Sequence, residues 1–247
     1  MEEQAKKWTS RGTLEGLKFD HRRKEYYEYL DYLKETDLGG VPDLLEHFTA
    51  YVGHMSLNRV LTIYEIYKKT LGLAGHIADV GVYKGASSLL FAKLIKIFES
   101  ESLTMCHGFD WFEGTGALTE ADSDLVAVGS YKADYESIKT LVQKQGFDNI
   151  LKIHKLDLMK DLDAFFKEND HLRFKLVMMD SGVYEVMKAA IPFFWERLNR
   201  GGIMIFDQYA CQFAPGETLA IHELLPGVKV NTIPNSWMPD AYIVKEV

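Results

Sequence analysis

Short apolar runs alternate with amphipathic segments along most of the chain. Runs of strand length occupy residues 77–80, 103–109, 149–154, 173–179 and 203–206. Between them, residues 89–98, 135–145, 162–167 and 183–198 carry apolar side chains at helical spacing. This alternation predicts an α/β fold built on a mostly parallel sheet. Two further predicted strands, 228–233 and 240–245, add an antiparallel edge and bring the sheet to seven strands.

The region before the first strand is predicted to be helical. Residues 43–51 and 57–67 follow helical spacing, and Ser56 is expected to cap the second of these helices. Further upstream, Tyr26, Leu30 and Leu33 share one face of a predicted helix, which packs on the domain, on a second subunit, or over a substrate as a lid. We therefore divide the chain into a helical extension, residues 1–60, and an α/β domain, residues 61–247.

Composition narrows the class of partner and the compartment. The net charge is −8, from 36 acidic and 28 basic residues, and such a surface repels nucleic acid and anionic membranes. Cys106 and Cys211 are far apart and have no metal-binding spacing, which suits a reducing compartment. The first residues lack the apolar core of a signal peptide, and no apolar run reaches membrane-spanning length. We expect a cytoplasmic protein with neither nucleic acid nor membrane as a partner.

A glycine turn follows the first predicted strand. Gly81 and Gly85 let the backbone turn sharply and lie close to a ligand, and Ser87 or Ser88 is expected to cap the next helix. The spacing Asp-x-Gly-x-x-x-Gly, beginning at Asp79, differs from the Gly-x-Gly-x-x-Gly that favours a dinucleotide pyrophosphate. An acid at this point repels phosphate and attracts an ammonium group. S-adenosylmethionine carries an ammonium, a sulfonium and no phosphate, so charge favours it over NAD; alternatively, Asp79 only caps a turn.

Further acids follow the other predicted strands. Asp110 ends the second strand, where an acid accepts hydrogen bonds from ribose hydroxyls, although it could also be a turn acid. Asp180 and Asp207 end the fourth and fifth strands, and Gln208 follows. Their oxygens suit Mg²⁺, which would bind substrate hydroxyls and lower the pKa of the one to be methylated. Two alternatives stay open: an Asp or His acts as general base without metal, or the two acids only cap helices.

Five segments resemble the macrocin O-methyltransferase (TylF/MycF-like) family, in the family's order. Met55-Ser56 is similar to part of its Thr-Met-Thr-Ser. Asp79-Val-Gly-Val-Tyr-Lys-Gly-Ala-Ser87 resembles its Glu-x-Gly-Val-Trp-x-Gly-Gly-Ser, and Asp110-Trp-Phe-Glu-Gly114 its Asp-Ser-Phe-Glu-Gly. Asp180-Ser-Gly-Val-Tyr-Glu185 is similar to its Asp-Gly-Asp-Leu-Tyr-Glu. Residues 201–209 resemble its Gly-Gly-x-x-x-x-Asp-Asp-Tyr.

The resemblance implies a Rossmann-like class I methyltransferase fold with an N-terminal helical lid, often assembled as a homodimer or larger homo-oligomer. It implies S-adenosylmethionine-dependent, Mg²⁺-assisted methylation of sugar hydroxyls on natural products or nucleotide-linked sugars. The candidate catalytic residues are Asp180, Asp207 and Tyr184, and the candidate metal ligands are Asp180, Asp207 and Gln208. The candidate cofactor residues are Met55, Ser56, Asp79, Gly81, Val82, Tyr83, Gly85, Ser87, Asp110, Phe112, Asp157 and Asp180.

Two departures from the family pattern bear on the metal. Gln208 replaces the second Asp of the family's pair, and Gly182 replaces the third-position Asp of the other motif. The site loses charge and should bind Mg²⁺ more weakly. Beside the metal-assisted enzyme, we therefore keep two hypotheses: a methyltransferase that uses a side-chain base, and a non-catalytic protein of the same fold that binds a partner enzyme through its aromatic N-terminus.

Overall fold

The structure is a computed structural model that describes residues 28–35, 40–212, 214–236 and 238–246. Part of the upstream helix prediction, including Tyr26, lies outside these residues, whereas residues 28–35 are helical as expected and are labelled α1. The predicted α/β architecture is confirmed, with helices on both faces of one sheet.

The sheet has seven strands and the predicted antiparallel edge. They are β1 (His76–Val80), β2 (Cys106–Asp110), β3 (Leu151–Lys155), β4 (Phe174–Met179), β5 (Leu198–Phe206), β6 (Val230–Thr232) and β7 (Ala241–Val244). Their order is β3-β2-β1-β4-β5-β7-β6. The first five are mutually parallel, and β7 runs antiparallel to both β5 and β6. The order reverses between β1 and β4, which is where ligands bind in open α/β sheets.

The helices occupy nearly all the segments that helical spacing predicted. After α1 come α2 (Val41–Glu46), α3 (Phe48–Tyr51), α4 (His54–Lys69), α5 (Ala86–Phe98) and α6 (Tyr135–Lys144). They are followed by α7 (Leu162–Glu168), α8 (Tyr184–Arg197) and α9 (Pro215–Leu224). Helix α8 continues through Pro192.

Each face of the sheet carries its own hydrophobic core. On one face, Phe109, Phe174 and Phe194 are fully buried among residues of α7, α8 and α9. On the other, Ile63 and Ile66 of α4 pack with α5 and with alternate residues of β4. The central strands are buried on both sides because helices cover both faces, which explains their continuous apolar runs. Helix α4 is thus fixed to the core by its second half.

Three boundaries differ from the sequence prediction. The segment 43–51 is two short helices rather than one, and β5 begins at Leu198 rather than at residue 203. Helix α4 begins at His54 with Gly53 as its N-cap, so the prediction that Ser56 caps it is wrong. The proposed division between residues 60 and 61 falls inside α4, since that helix runs unbroken across it.

Candidate functional site

The loops after β1 and β4 meet at the carboxyl edge of the sheet. Gly81 has a φ of +101°, and a Cβ placed on it would lie 2.0 Å from the carbonyl oxygen of Asp180. The Gly81 N–H donates to the carbonyl of Phe109 at 2.9 Å, and the Asp180 N–H donates to the carbonyl of Val80 at 2.8 Å. Only glycine satisfies both the φ angle and the close approach. These contacts bring the ends of β1, β2 and β4 together.

A cavity of about 620 Å³ opens at this edge. Nine of the predicted site residues line it: Gly81, Val82, Tyr83, Ser87, Asp110, Asp157, Asp180, Asp207 and Gln208. The cavity is within the size range of small-molecule and cofactor sites. The structure thus brings these nine residues, which were predicted as cofactor-binding, catalytic or metal-binding, together in one cavity.

Asp110 lies in the cavity wall and orders the loops around it. Its carboxylate accepts the backbone N–H of Tyr83 at 2.9 Å and that of Phe112 at 2.7 Å. Both donors have left-handed backbones, with φ of 48° and 65°. Such strain in residues other than glycine is typical of ligand-binding loops. Burial raises the pKa of Asp110, while the backbone N–H groups oppose that rise.

Asp79 is not part of the cavity lining. Its side chain is fully buried, and it accepts hydrogen bonds from the hydroxyls of Ser87, at 2.8 Å, and Ser88. Burial raises the pKa of Asp79 to about 6. The prediction that a serine caps α5 is wrong, because Gly85 is the N-cap and makes no side-chain cap. Direct contact between Asp79 and an ammonium group stays a prediction.

Some other predicted residues also lie outside the lining. Met55 and Ser56 lie half-buried in the first turn of α4, while Gly85 and Phe112 are buried in the segments that follow β1 and β2. The hydroxyl of Tyr184 donates to Glu223 of α9 at 2.7 Å and accepts from Lys188 at 3.0 Å. These contacts tie α8 to α9, and a catalytic role for Tyr184 stays a prediction.

Arg59 of α4 joins the two acids that follow β4 and β5. Its Nη2 donates to Oδ2 of Asp180 at 2.7 Å, and its Nη1 donates to Oδ1 of Asp207. The Asp207 side chain is 5% exposed, whereas that of Asp180 is 29% exposed and faces the cavity. Burial and the neighbouring Asp207 raise the pKa of Asp180, and the Arg59 guanidinium opposes that rise. The two carboxylates raise the pKa of Arg59, which stays charged.

The predicted Mg²⁺ site does not fit this arrangement. The guanidinium of Arg59 already contacts one oxygen of Asp180 and one of Asp207. Across the described ranges, no group of three or more His, Cys, Asp or Glu residues is arranged to hold a metal ion. A divalent ion between the two acids would have to displace Arg59 or lie beside its positive charge.

Next to this pair of acids, Gln208 is hydrogen-bonded to Glu217. Gln208 was predicted from the sequence as a site residue, and Glu217 was not. The Gln208 N–H donates to Oε1 of Glu217 at 2.8 Å, and Oε2 of Glu217 is buried with no partner among the described residues. Burial raises the pKa of Glu217 well above its usual range, with a smaller contribution from Asp207. A protonated Glu217 adds no negative charge to the site.

The long polar loop after β2 forms one wall of the cavity. Thr115, Gly116 and Val126 line it, and a loop of this length in a compact domain usually has a function. The loop is held at Asp122, whose Oδ1 accepts the N–H of Tyr184 at 2.7 Å at the start of α8. It is held again at Thr115, whose N–H donates to the carbonyl of Ser130 at 2.6 Å.

Arg59 is the main residue that sequence reasoning missed. Its position carries a signal, because residues 59, 62, 63 and 66 have helical spacing and the last three are buried. A lone cation on the buried face of a helix, opposite strands that end in acids, indicates an ion pair across the sheet edge.

Comparison with known proteins places the chain in a family. A family model described as a methyltransferase domain matches residues 78–209, which is more than half of the chain. The chain belongs to this methyltransferase family. The matched region runs from within β1 to just beyond the end of β5, so it contains β2 to β5, most of β1 and every acid of the cavity. A comparison with curated protein sequences gives no match.

Solved methyltransferase structures share the fold. The calicheamicin methyltransferase CalS11 superposes with a TM-score of 0.80 at 20% identity, covering 90% of this chain and 92% of that one. Its apo structure, described as a TDP-rhamnose 3′-O-methyltransferase, gives 0.73 at 21% identity, covering 90% and 94%. The O-methyltransferase NovP gives 0.60 at 15% identity, covering 77% and 81%. The Rossmann-like methyltransferase fold is therefore confirmed, and the predicted enzyme class is confirmed at the level of this methyltransferase family.

Across the described part of the chain, no helix is both long enough and apolar enough to cross a bilayer.

Proposed function

We propose that this methyltransferase transfers a methyl group from S-adenosylmethionine to a hydroxyl of a small, sugar-like acceptor. The observation that carries the proposal is that one cavity is lined both by Asp110 and by the Arg59-bridged pair Asp180 and Asp207. The first suits the ribose of a nucleoside, and the second suits an acceptor hydroxyl. The tighter assignment to the macrocin-type family rests on the five sequence segments.

The cavity suits this donor by its chemistry. Asp110 keeps carboxylate lone pairs beyond the two that Tyr83 and Phe112 occupy, and a carboxylate is a good acceptor for ribose hydroxyls. Ser181 contributes to the same cavity lining, with its Oγ buried. Asp157, also in the lining, is the candidate for adenine.

Bound S-adenosylmethionine supplies an electrophilic methyl group on a positively charged sulfur. Asp180 is the group that accepts the proton of the acceptor hydroxyl, because it is the more exposed of the two acids. Its raised pKa also lies closer to neutral pH than that of an ordinary aspartate, which suits a general base. The acceptor oxygen forms its bond to the methyl carbon as the carbon–sulfur bond breaks, and the electron pair stays on sulfur. Asp180 then releases the proton to water.

The acceptor class rests on two supports. Asp180, Asp207, Gln208 and Ser181 offer several hydrogen-bonding groups at one end of the cavity, as a polyhydroxylated substrate requires. CalS11, which shares the fold, is described as acting on TDP-rhamnose. A sugar or nucleotide-linked sugar is therefore the first acceptor to test.

The test combines cofactor binding with transfer of label. Titration calorimetry should detect S-adenosylmethionine binding to the purified chain, and Asp110→Ala should abolish it. With a panel of nucleotide-sugars and glycosides, radiolabel from the methyl group should appear in the acceptor. Asp180→Asn should remove turnover by a factor of about 100 or more while binding of the cofactor persists. The exposed loop variant Asp124→Asn is the matched control and should behave as wild type. Absence of cofactor binding to the wild type would refute the proposal.

A further inference from the structure

We propose that Arg59 is the resident cation of the acceptor site, so that Asp180 and Asp207 are held by a guanidinium and methyl transfer needs no divalent metal. The part of this inference that concerns turnover rests on the proposed function. The part that concerns metal binding stands on the contacts of Arg59 alone.

Arg59 contacts both carboxylates, as a metal ion bound between two acids would. One nitrogen binds Asp180 and the other binds Asp207, which fixes two acids from two different strand ends at one separation. A guanidinium offers several donors in one plane, carries a permanent charge and prefers carboxylate oxygens. Arg59 therefore supplies both the positive charge and the geometry that a divalent ion would otherwise provide.

The backbone that carries Arg59 is fixed by the core. One and two turns further along α4, Ile63 and Ile66 are each 1% exposed and pack against the sheet. The preceding residue, Asn58, donates from Nδ2 to the carbonyl of Asn235 at 2.9 Å. The ion pair is therefore made by a side chain on a fixed helix, with only 25% of that side chain exposed.

The charges around the pair favour one monovalent cation over a metal. Gln208 is neutral, and its backbone N–H donates to Oε1 of Glu217 at 2.8 Å. The oxygen of the Gln208 amide lies 2.6 Å from the point where a Cβ on Gly182 would stand, and Gly182 has a φ of +64°. The two departures from the macrocin-type pattern are thus a single packing feature: Gln208 fills the space of a side chain at 182. Together they leave two ionisable acids against one arginine.

Metal binding can be measured without any turnover. Mn²⁺ is the probe, and its free concentration is followed by electron paramagnetic resonance with the full chain. Wild type and Asp207→Asn should bind the same amount of Mn²⁺, because no Mn²⁺ binds between the two acids of the wild type. Arg59→Met, which keeps the long apolar stem but frees both acids, should bind Mn²⁺ at least about tenfold more tightly than wild type. The matched control Lys68→Gln removes a positive charge from the exposed side of the same helix and should leave Mn²⁺ binding unchanged.

Turnover provides the second measurement. Its pH profile should change if Arg59 acts on Asp180, whereas a purely structural role of Arg59 would leave the profile unchanged. Wild-type activity should be unchanged by EDTA. Arg59→Met should lower kcat by about 100-fold and move the acid limb of its pH profile to higher pH, because Asp180 loses the charge that opposes its raised pKa. Arg59→Lys should recover part of kcat and shift the acid limb of the pH profile back towards the pH at which wild type shows it.

The outcomes separate this inference from the proposed function. Wild-type Mn²⁺ binding that is lost in Asp207→Asn, or activity abolished by EDTA and restored by Mg²⁺, overturns the inference while leaving the methyltransferase proposal intact. Failure to bind S-adenosylmethionine overturns the proposed function, but the Mn²⁺ comparison still decides the role of Arg59. The EDTA measurement on wild type needs no variant, and the Mn²⁺ measurement on wild type needs only Asp207→Asn, so a poorly folded Arg59→Met does not prevent a decision.

Discussion

At the scale of single residues, Asp180 is the proposed base. It follows β4, shares Arg59 with Asp207, and exposes more of its side chain to the cavity than Asp207 does. Burial and the second acid raise its pKa, so its proton-accepting form is lost at a higher pH than that of an ordinary aspartate. Its reactivity is therefore set by its neighbours as much as by its own carboxyl group.

The pH dependence of turnover follows from this shift. Asp180 accepts a proton only when ionised, so kcat should rise as pH increases through its raised pKa and then level off. A profile of kcat against pH at saturating substrate measures this limb. A rate already maximal near pH 4 to 5, where an unperturbed aspartate of pKa about 3.9 is mostly ionised, would contradict the role of Asp180 as base.

Gly81 is the second residue on which the site depends. Gly81→Ala should lower the free energy of unfolding by about 2–5 kcal/mol, because alanine resists the positive φ and its Cβ meets the Asp180 carbonyl. Gly129→Ala is the matched control, since Gly129 also has a positive φ but no atom within 4 Å of an added Cβ. It should cost only about 1–2 kcal/mol. Urea denaturation compares the two variants, and equal losses would argue against the close approach of the two loops.

Residue patterns showed part of the site and not the rest. The acids at strand ends were found because parallel strands end at one edge, and Asp110, Asp180 and Asp207 do share the cavity. Arg59 was missed because an ion pair across 121 and 148 residues of sequence is a tertiary contact. The hydrogen bond between the Tyr184 hydroxyl and Glu223 could not be foreseen either, because a motif does not give the direction of a side chain.

At the scale of elements, a buried ionic cluster holds the edge of the sheet opposite the cavity. Lys175 of β4 is fully buried, and its Nζ donates to Glu99 at the end of α5. Glu99 also accepts the hydroxyl of Tyr67 of α4, at 2.6 Å, and that of Thr104 at 2.9 Å. One carboxylate thus joins two helices, a strand and the loop before β2.

Removing the charge of Glu99 should loosen all these elements together. Glu99→Gln leaves the ammonium of Lys175 buried without its counter-ion, so the free energy of unfolding should fall by about 3–5 kcal/mol. The control Glu65→Gln breaks an exposed pair with Lys68 on α4 and should cost less than about 1 kcal/mol. Chemical denaturation of both variants measures the difference, and a loss for Glu99→Gln as small as that of the control would refute this account.

The elements themselves were largely predictable. Apolar runs located the strands because β1 and β4 are buried on both faces, and helical spacing located α5 to α8 because one side of each meets the sheet. The short helices α2 and α3 were merged because no residue of either is buried, so no apolar face fixes their boundary. Helix starts were misjudged where glycine rather than serine is the cap, as at Gly53 and Gly85.

At the scale of the whole molecule, a histidine cluster within the sheet makes stability sensitive to acid. His107 of β2 stacks on His154 of β3, with the rings 5.3 Å apart and Nδ1 of the first 3.0 Å from Nε2 of the second. Burial lowers the pKa of His107 to about 3 and that of His154 to about 4. Both rings are therefore neutral in the folded protein at pH values where the unfolded chain protonates them.

The sign of the effect follows from proton binding. Below a pH of about 6.5, histidines of the unfolded chain bind protons that the folded chain does not, so the free energy of unfolding should fall as pH decreases from about 6.5 to 4. His107→Gln should flatten this dependence, whereas His47→Gln, at an exposed histidine of the segment between α2 and α3, should not. Urea denaturation at pH 7 and pH 5 compares the slopes. Equal slopes in His107→Gln and wild type would show that the cluster does not control acid stability.

The central claim concerns the whole cavity: nucleoside and acceptor groups share one edge of the sheet, with Arg59 between the two acids. A crystal structure with S-adenosylhomocysteine, grown in the presence of Mg²⁺, tests it most directly. We predict ribose hydroxyls on Asp110, the sulfur facing the end of the cavity that holds Asp180, and the guanidinium of Arg59 still bound to Asp180 and Asp207. A nucleoside bound elsewhere, or a metal ion between the two acids with Arg59 turned away, would contradict the account.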